Sequence, residues 1–134
     1  MSRAPVLALV LDAVLVVAFA ATGRASHDSD VLAGLWQTSW PFLAGLAAAW
    51  TVVRAWRSPT AIVPTGLIVW GVTVVGGMLL RAVSGQGTAL PFVIVATLTL
   101  LVLLVGWRAI ARGIRSVRPR GGGRSRSRDV VPRA

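Results

Sequence analysis

Cysteine, lysine, glutamate and tyrosine are all missing from these 134 residues, and histidine occurs once, as His27. Without cysteine there is no disulfide, no thiolate metal site and no cysteine nucleophile. The single histidine leaves no serine with a suitable general base. No glycine-rich phosphate loop or zinc-ligand spacing occurs in the chain either. We therefore expect no enzyme activity, no cofactor and no metal. Charge is also scarce, at 13% of residues, and the few charges cluster at the ends of long apolar runs. A soluble domain needs polar residues spread along every element to face water. Here long stretches have none.

What is present is apolar, at 55% of the chain. Four segments approach or exceed the roughly 20 residues that a helix needs to cross hydrocarbon. They cover about residues 5–22, 35–53, 61–80 and 88–107. Their runs are continuous, without the alternation of a membrane barrel. The expected fold is all-α, a bundle of four transmembrane helices within residues 1–115. Residues 116–134 follow as a tail rich in Arg, Gly and Ser, expected to be disordered.

The net charge of +10 at first suggests a nucleic-acid partner, but position argues against one. Nine of the 14 arginines lie from Arg108 onward, after the last apolar run. With both termini in the cytoplasm, the inner side holds those nine plus Arg3, Arg54 and Arg57, against Arg24 and Arg81 outside. Twelve against two is a strong positive-inside bias, and it points to a multi-pass protein of the cell membrane. Aromatics follow the same order. Phe19, Trp36, Trp40, Phe42 and Phe92 fall near the outer interface, Trp56 and Trp107 near the inner one, and Trp70 near mid-membrane. Arg3 and the small-x-small run Ala18-Phe19-Ala20 also fit a cleaved signal peptide. Asp12, in the middle of its apolar region, counts against cleavage. The tail should attract anionic lipid at about 1 kcal/mol per basic residue. Arginine in place of lysine, with abundant Ala, Gly and Val, fits a GC-rich prokaryotic coding bias.

Asp12 is the most informative residue. A carboxylate within a span costs on the order of 2.5–3.5 kcal/mol on insertion scales, so it needs a partner or a cavity. It lies seven residues past Pro5, about 10 Å into the membrane at ~1.5 Å per residue. Arg54 and Arg108 end helices running inward, and side chains lean toward their helix N-terminus. Both can therefore reach back toward Asp12, in a structural clasp or in a proton or ion relay. On the outer side, Arg24, His27 and Arg81 could hold an anion, or the arginines could only snorkel. Small residues suit close helix packing: Gly45 with Ala49, Ala44 with Ala48, Thr73 with Gly77, and a stripe of Gly66, Gly71 and Gly76. Pro41 and Pro64 fall near helix starts, where they bend little.

Two hairpins look alike. Trp40-Pro41-Phe42 leads to Trp56-Arg57, as Leu90-Pro91-Phe92 leads to Trp107-Arg108. A duplication would place a twofold axis along the membrane normal, with Arg24 facing Arg81. Convergence gives the same matches, since Pro suits a helix start and Trp and Arg suit an interface.

From Leu11-Asp12 through Gly23-Arg24, Ser26-His27, Trp40-Pro41-Phe42, Val69-Trp70 and Gly77-Met78-Leu79-Leu80-Arg81 to Pro91-Phe92-Val93 and Gly106-Trp107-Arg108, the chain resembles the domain of unknown function 3054 family. The resemblance covers about residues 8–112. It implies a four-span membrane protein and no assigned activity. The residues themselves support an accessory subunit of a membrane complex. The alternative is a small transporter-like or relay unit using Asp12, working as a homo-oligomer.

Overall fold

The structure, a computed structural model, describes residues 2–24 and 31–119. Helix α1 spans Arg3–Arg24, α2 spans Val31–Val53 and α3 spans Leu67–Val83. Helix α4, Leu90–Leu100, passes through a wide π-helical turn, Leu101–Val105, into α5, Gly106–Val117. Together these last three make one helix of 28 residues. No strand occurs among the described residues.

The boundaries have local causes. Pro91 sits in the first turn of α4, where the missing N–H has no helical partner to lose. Before it, Gly85 and Gly87 turn the chain at φ 72° and 81°, a region that glycine enters without a Cβ clash. Ahead of α3, Val63 is extended (φ −119°, ψ 128°) and Pro64 follows it. The last helix runs on past Trp107 to Val117, with no proline before Pro119, so its basic extension passes residue 115 by two residues. Residues 120–134 lie outside the described ones. Pro41 also sits deeper than expected, because α2 begins at Val31 and places it inside the helix.

Among the described residues, three helices are long and apolar enough to cross a membrane: Arg3–Gly23, Ile62–Val83 and Leu90–Val117. Helix α2 has 23 residues and no charge, but Gln37, Thr38, Ser39, Pro41 and three tryptophans make it less apolar. Thr38 and Ser39 are buried, and Ser39 returns its hydroxyl proton to the Leu35 carbonyl at 2.7 Å. Pro41 is buried with them, while Gln37 is exposed.

All four long helices contribute to one core. Its upper layer is the full set of phenylalanines, Phe19, Phe42 and Phe92. Phe19 meets Phe42 edge-on at 5.4 Å between ring centroids, and each lies 6.2 Å from Phe92. Phe19 and Phe42 are buried in the core, and Phe92 packs against them partly buried. Trp70, the mid-span aromatic, satisfies its indole N–H on the Thr97 carbonyl at 2.9 Å.

The closest helix contact is α2 against α3. A Cβ on Gly45 would lie 2.9 Å from the Thr73 carbonyl oxygen and 3.1 Å from the Gly77 nitrogen. Gly77 in turn accepts the Phe42 ring where a side chain would stand. The supposed glycine stripe on α3 is not one face: Gly76 touches Gly45, while nothing approaches Gly71. By contrast, α1 and α4 touch only slightly. A twofold axis relating the hairpins would make the α2–α3 and α1–α4 contacts equivalent, and they are not. The expected equivalence of Trp56-Arg57 with Trp107-Arg108 also fails, since the first pair is exposed while Arg108 is wholly buried.

Candidate functional site

Asp12 lies on the inward face of α1, two turns from Phe19, and its side chain is 0% exposed. Arg108, from the first turn of α5, is 0% exposed too and grips the carboxylate with both Nη atoms. Nη1 donates to Oδ1 at 2.9 Å and Nη2 to Oδ2 at 2.7 Å. Two indoles complete the shell: Trp50 Nε1 donates to Oδ2 at 2.9 Å, and Trp107 Nε1 to Oδ1 at 2.8 Å. Each carboxylate oxygen thus accepts two hydrogen bonds, from three side chains on two helices. The bidentate fork is the strongest pairing available to a carboxylate.

The guanidinium is equally well provided for. Arg108 Nε donates to the Pro59 carbonyl at 2.9 Å, and Nη1 donates again to the Leu104 carbonyl at 2.6 Å. Its plane stacks over the Trp107 ring at 4.6 Å. Gly66 leaves the space for the stem, since a Cβ there would stand 3.0 Å from Arg108 Cδ. The π-helical turn just before Gly106 sets the azimuth of both Trp107 and Arg108. Such a turn carries an extra residue and rotates everything after it about the helix axis.

Of the two arginines expected near Asp12, the fold brings Arg108 to it and not Arg54. Arg54 ends α2 in the left-handed region (φ 51°, ψ 53°), and its side chain is exposed. The chain turns away at that residue, so the lean of the helix no longer directs the side chain. Sequence reasoning missed Trp50 and Trp107 as donors, because tryptophan near an inner interface is ordinary. Their depth, matching that of Asp12, was the available signal. On the other side of the core, Arg81 closes its own loop. It donates from Nη1 to Gln86 Oε1 at 3.0 Å and from Nε to the Gly87 carbonyl at 3.3 Å, and it stacks on Phe92 at 4.2 Å. His27 and the Arg24 side chain lie outside what the structure describes.

Each indole bond has a measurable consequence. Trp107→Phe keeps the ring and deletes one donor to a buried charge, so it should cost about 1.5–3 kcal/mol of unfolding free energy. Trp50→Phe should cost a similar amount. Chemical unfolding in detergent micelles measures both. Wild-type stability in either variant would reduce that indole to packing.

The described residues form an all-helical protein with three membrane-compatible spans, built around a buried aspartate–arginine pair. The chain belongs to the family described as protein of unknown function (DUF3054), whose model matches residues 9–111. Neither the curated proteins nor the solved structures contain a match to it.

Proposed function

We propose that this chain is a non-enzymatic protein of the cell membrane that crosses the bilayer four times, with both termini cytoplasmic, and serves as an accessory subunit of a membrane complex. The observation that carries this reading is the saturation of Asp12. A relay carboxylate needs a water path or a free lone pair to exchange a proton, whereas four donors and zero exposure hold this one fixed. The core is closed in the same way above it, by Val16, Phe42, Leu46, Leu100 and Leu104, all at most 2% exposed. That close packing favours the accessory reading over a solute route between the helices.

Two further features support the fourth span. Helix α2 contributes Phe42 to the phenylalanine layer and Trp50 to the Asp12 layer, so it runs alongside α1 between both levels. Its 23 residues extend about 35 Å at ~1.5 Å per residue, more than the ~30 Å of hydrocarbon. The arginine bias supplies the orientation. Reporter fusions after Ser58 and after Ala134 should both read cytoplasmic, and one after Ser84 external. An external signal at Ala134 would end the four-span reading. Purification after mild crosslinking should recover the chain at fixed stoichiometry with a second membrane protein. Recovery only as a monomer or homo-oligomer would remove the accessory role.

A further inference from the structure

Helix α5 is amphipathic, and its polar face runs from the buried Arg108 to the exposed Arg112 and Arg115 beside the α2–α3 connection. At 3.6 residues per turn, Arg108, Arg112 and Arg115 fall within about 60° of one another, opposite Ile110, Ile114 and Val117. Arg108 is buried on Asp12. One and two turns further on, Arg112 and Arg115 wall a cavity of about 400 Å³ whose other side is Ser58, Thr60, Ala61 and Val63 of the α2–α3 connection. Arg115 Nη1 donates to Thr60 Oγ1 at 3.1 Å, which holds that guanidinium over the connection. Ile110, Ile114 and Val117 are 66%, 58% and 80% exposed on the outer face. There they continue the apolar surface of Leu98 and Val102.

This arrangement sets the depth of the cavity. A helix of 28 residues is about 42 Å long, beyond the ~30 Å of hydrocarbon and close to the 40–45 Å that includes the headgroups. The outward isoleucines keep α5 against lipid rather than free in water. The arginine-walled cavity therefore opens at headgroup level. Among the described residues the carboxylate side chain is that of Asp12, and Arg108 already occupies both of its oxygens. Among the described residues no carboxylate neutralises Arg112 and Arg115.

We propose that this cavity binds a phosphate group, held by the Arg112 and Arg115 guanidinium groups with the Thr60 and Ser58 hydroxyls beside them. Paired guanidinium forks match phosphate oxygens in geometry and charge. The phosphate comes from a lipid headgroup or from free phosphate in the cytoplasm, and the two sources separate by experiment. The assignment of a lipid rests on the membrane reading above. Phosphate binding itself does not depend on the number of spans.

The test uses the full-length protein in a non-ionic detergent, titrated calorimetrically with short-chain phosphatidylglycerol and, separately, with inorganic phosphate. Binding should weaken roughly tenfold for each of Arg112→Gln and Arg115→Gln. Thr60→Val should weaken it less, and Arg118→Gln, outside the cavity, should leave it unchanged. All four variants keep the Asp12–Arg108 pair, and their unliganded unfolding midpoints report on the fold. Lipid binding displaced only by a large excess of phosphate assigns the headgroup. Saturation by inorganic phosphate with no gain from the lipid assigns free phosphate. No binding of either probe, or equal binding by an Arg112→Gln/Arg115→Gln double variant that is still folded, overturns the proposal. Topology fusions that contradict four spans would leave the phosphate result standing.

Discussion

Arg108→Ala should destabilise the protein by about 3–5 kcal/mol, the range found when one partner of a buried ion pair is removed. The loss exceeds that of a single hydrogen bond, because Asp12 would stay buried with two indole donors and no cation beside it. Asp12→Ala should cost a similar amount by stranding the guanidinium among the Pro59 and Leu104 carbonyls. The double variant Asp12→Leu/Arg108→Met should recover most of the loss, since apolar replacement of a whole buried pair is often neutral or better. A double-mutant cycle on unfolding in detergent measures the coupling. Single variants as stable as the wild type would show that the pair does not clasp the helices. Asp12→Asn separates structure from transfer. As a neutral near-isostere, it should lower stability while leaving no pH-dependent activity to lose. A folded Asp12→Asn protein that had lost a proton-coupled activity would favour the relay.

Gly77→Ala and Gly45→Ala should each cost about 1–3 kcal/mol or more, the usual range for overpacking. The new methyl of Gly77→Ala would enter the Phe42 ring, which is held between Phe19 and Phe92 and has nowhere to turn. That of Gly45→Ala would meet backbone, the Thr73 carbonyl and the Gly77 nitrogen, so α2 and α3 would have to separate. Because both changes push on one contact, the double variant should lose less than the sum of the two. Gly71→Ala serves as the control. Nothing lies within 4 Å of its would-be Cβ, and alanine improves helix propensity by up to about 1 kcal/mol. The unfolding midpoint should therefore fall for the first two variants and hold or rise for the third. A fall at Gly71 as large as that at Gly77 would mean that the tight α2–α3 contact does not set the response.

The amino-acid sequence alone determined the class of this protein, because class depends on quantities that are sums over local residues. Continuous apolar runs dictate helices, since a backbone in hydrocarbon must satisfy its own hydrogen bonds. The depth of Asp12 required a cationic or aqueous partner, and the small residues at Gly45, Thr73 and Gly77 allowed a close helix contact. Azimuth was not legible. Each residue turns a helix by 100°, so which side chain meets Asp12 depends on rotations that composition does not record. The left-handed Arg54 took one candidate out of reach. A single π-helical turn at Leu101–Val105 swung the other, with Trp107 beside it, onto the carboxylate. The same rotation set the exposed Arg112 and Arg115 beside the α2–α3 connection, where the sequence showed only a basic extension of the last helix. Tertiary structure also decided against the twofold repeat. Matching Pro-Phe and Trp-Arg pairs reflect what helix ends and interfaces favour in any span, whereas symmetry would have required equal packing between helices that share no local sequence. The α2–α3 seam is tight and the α1–α4 seam is slight, because the glycines that admit backbone to backbone lie on one seam and not on the other.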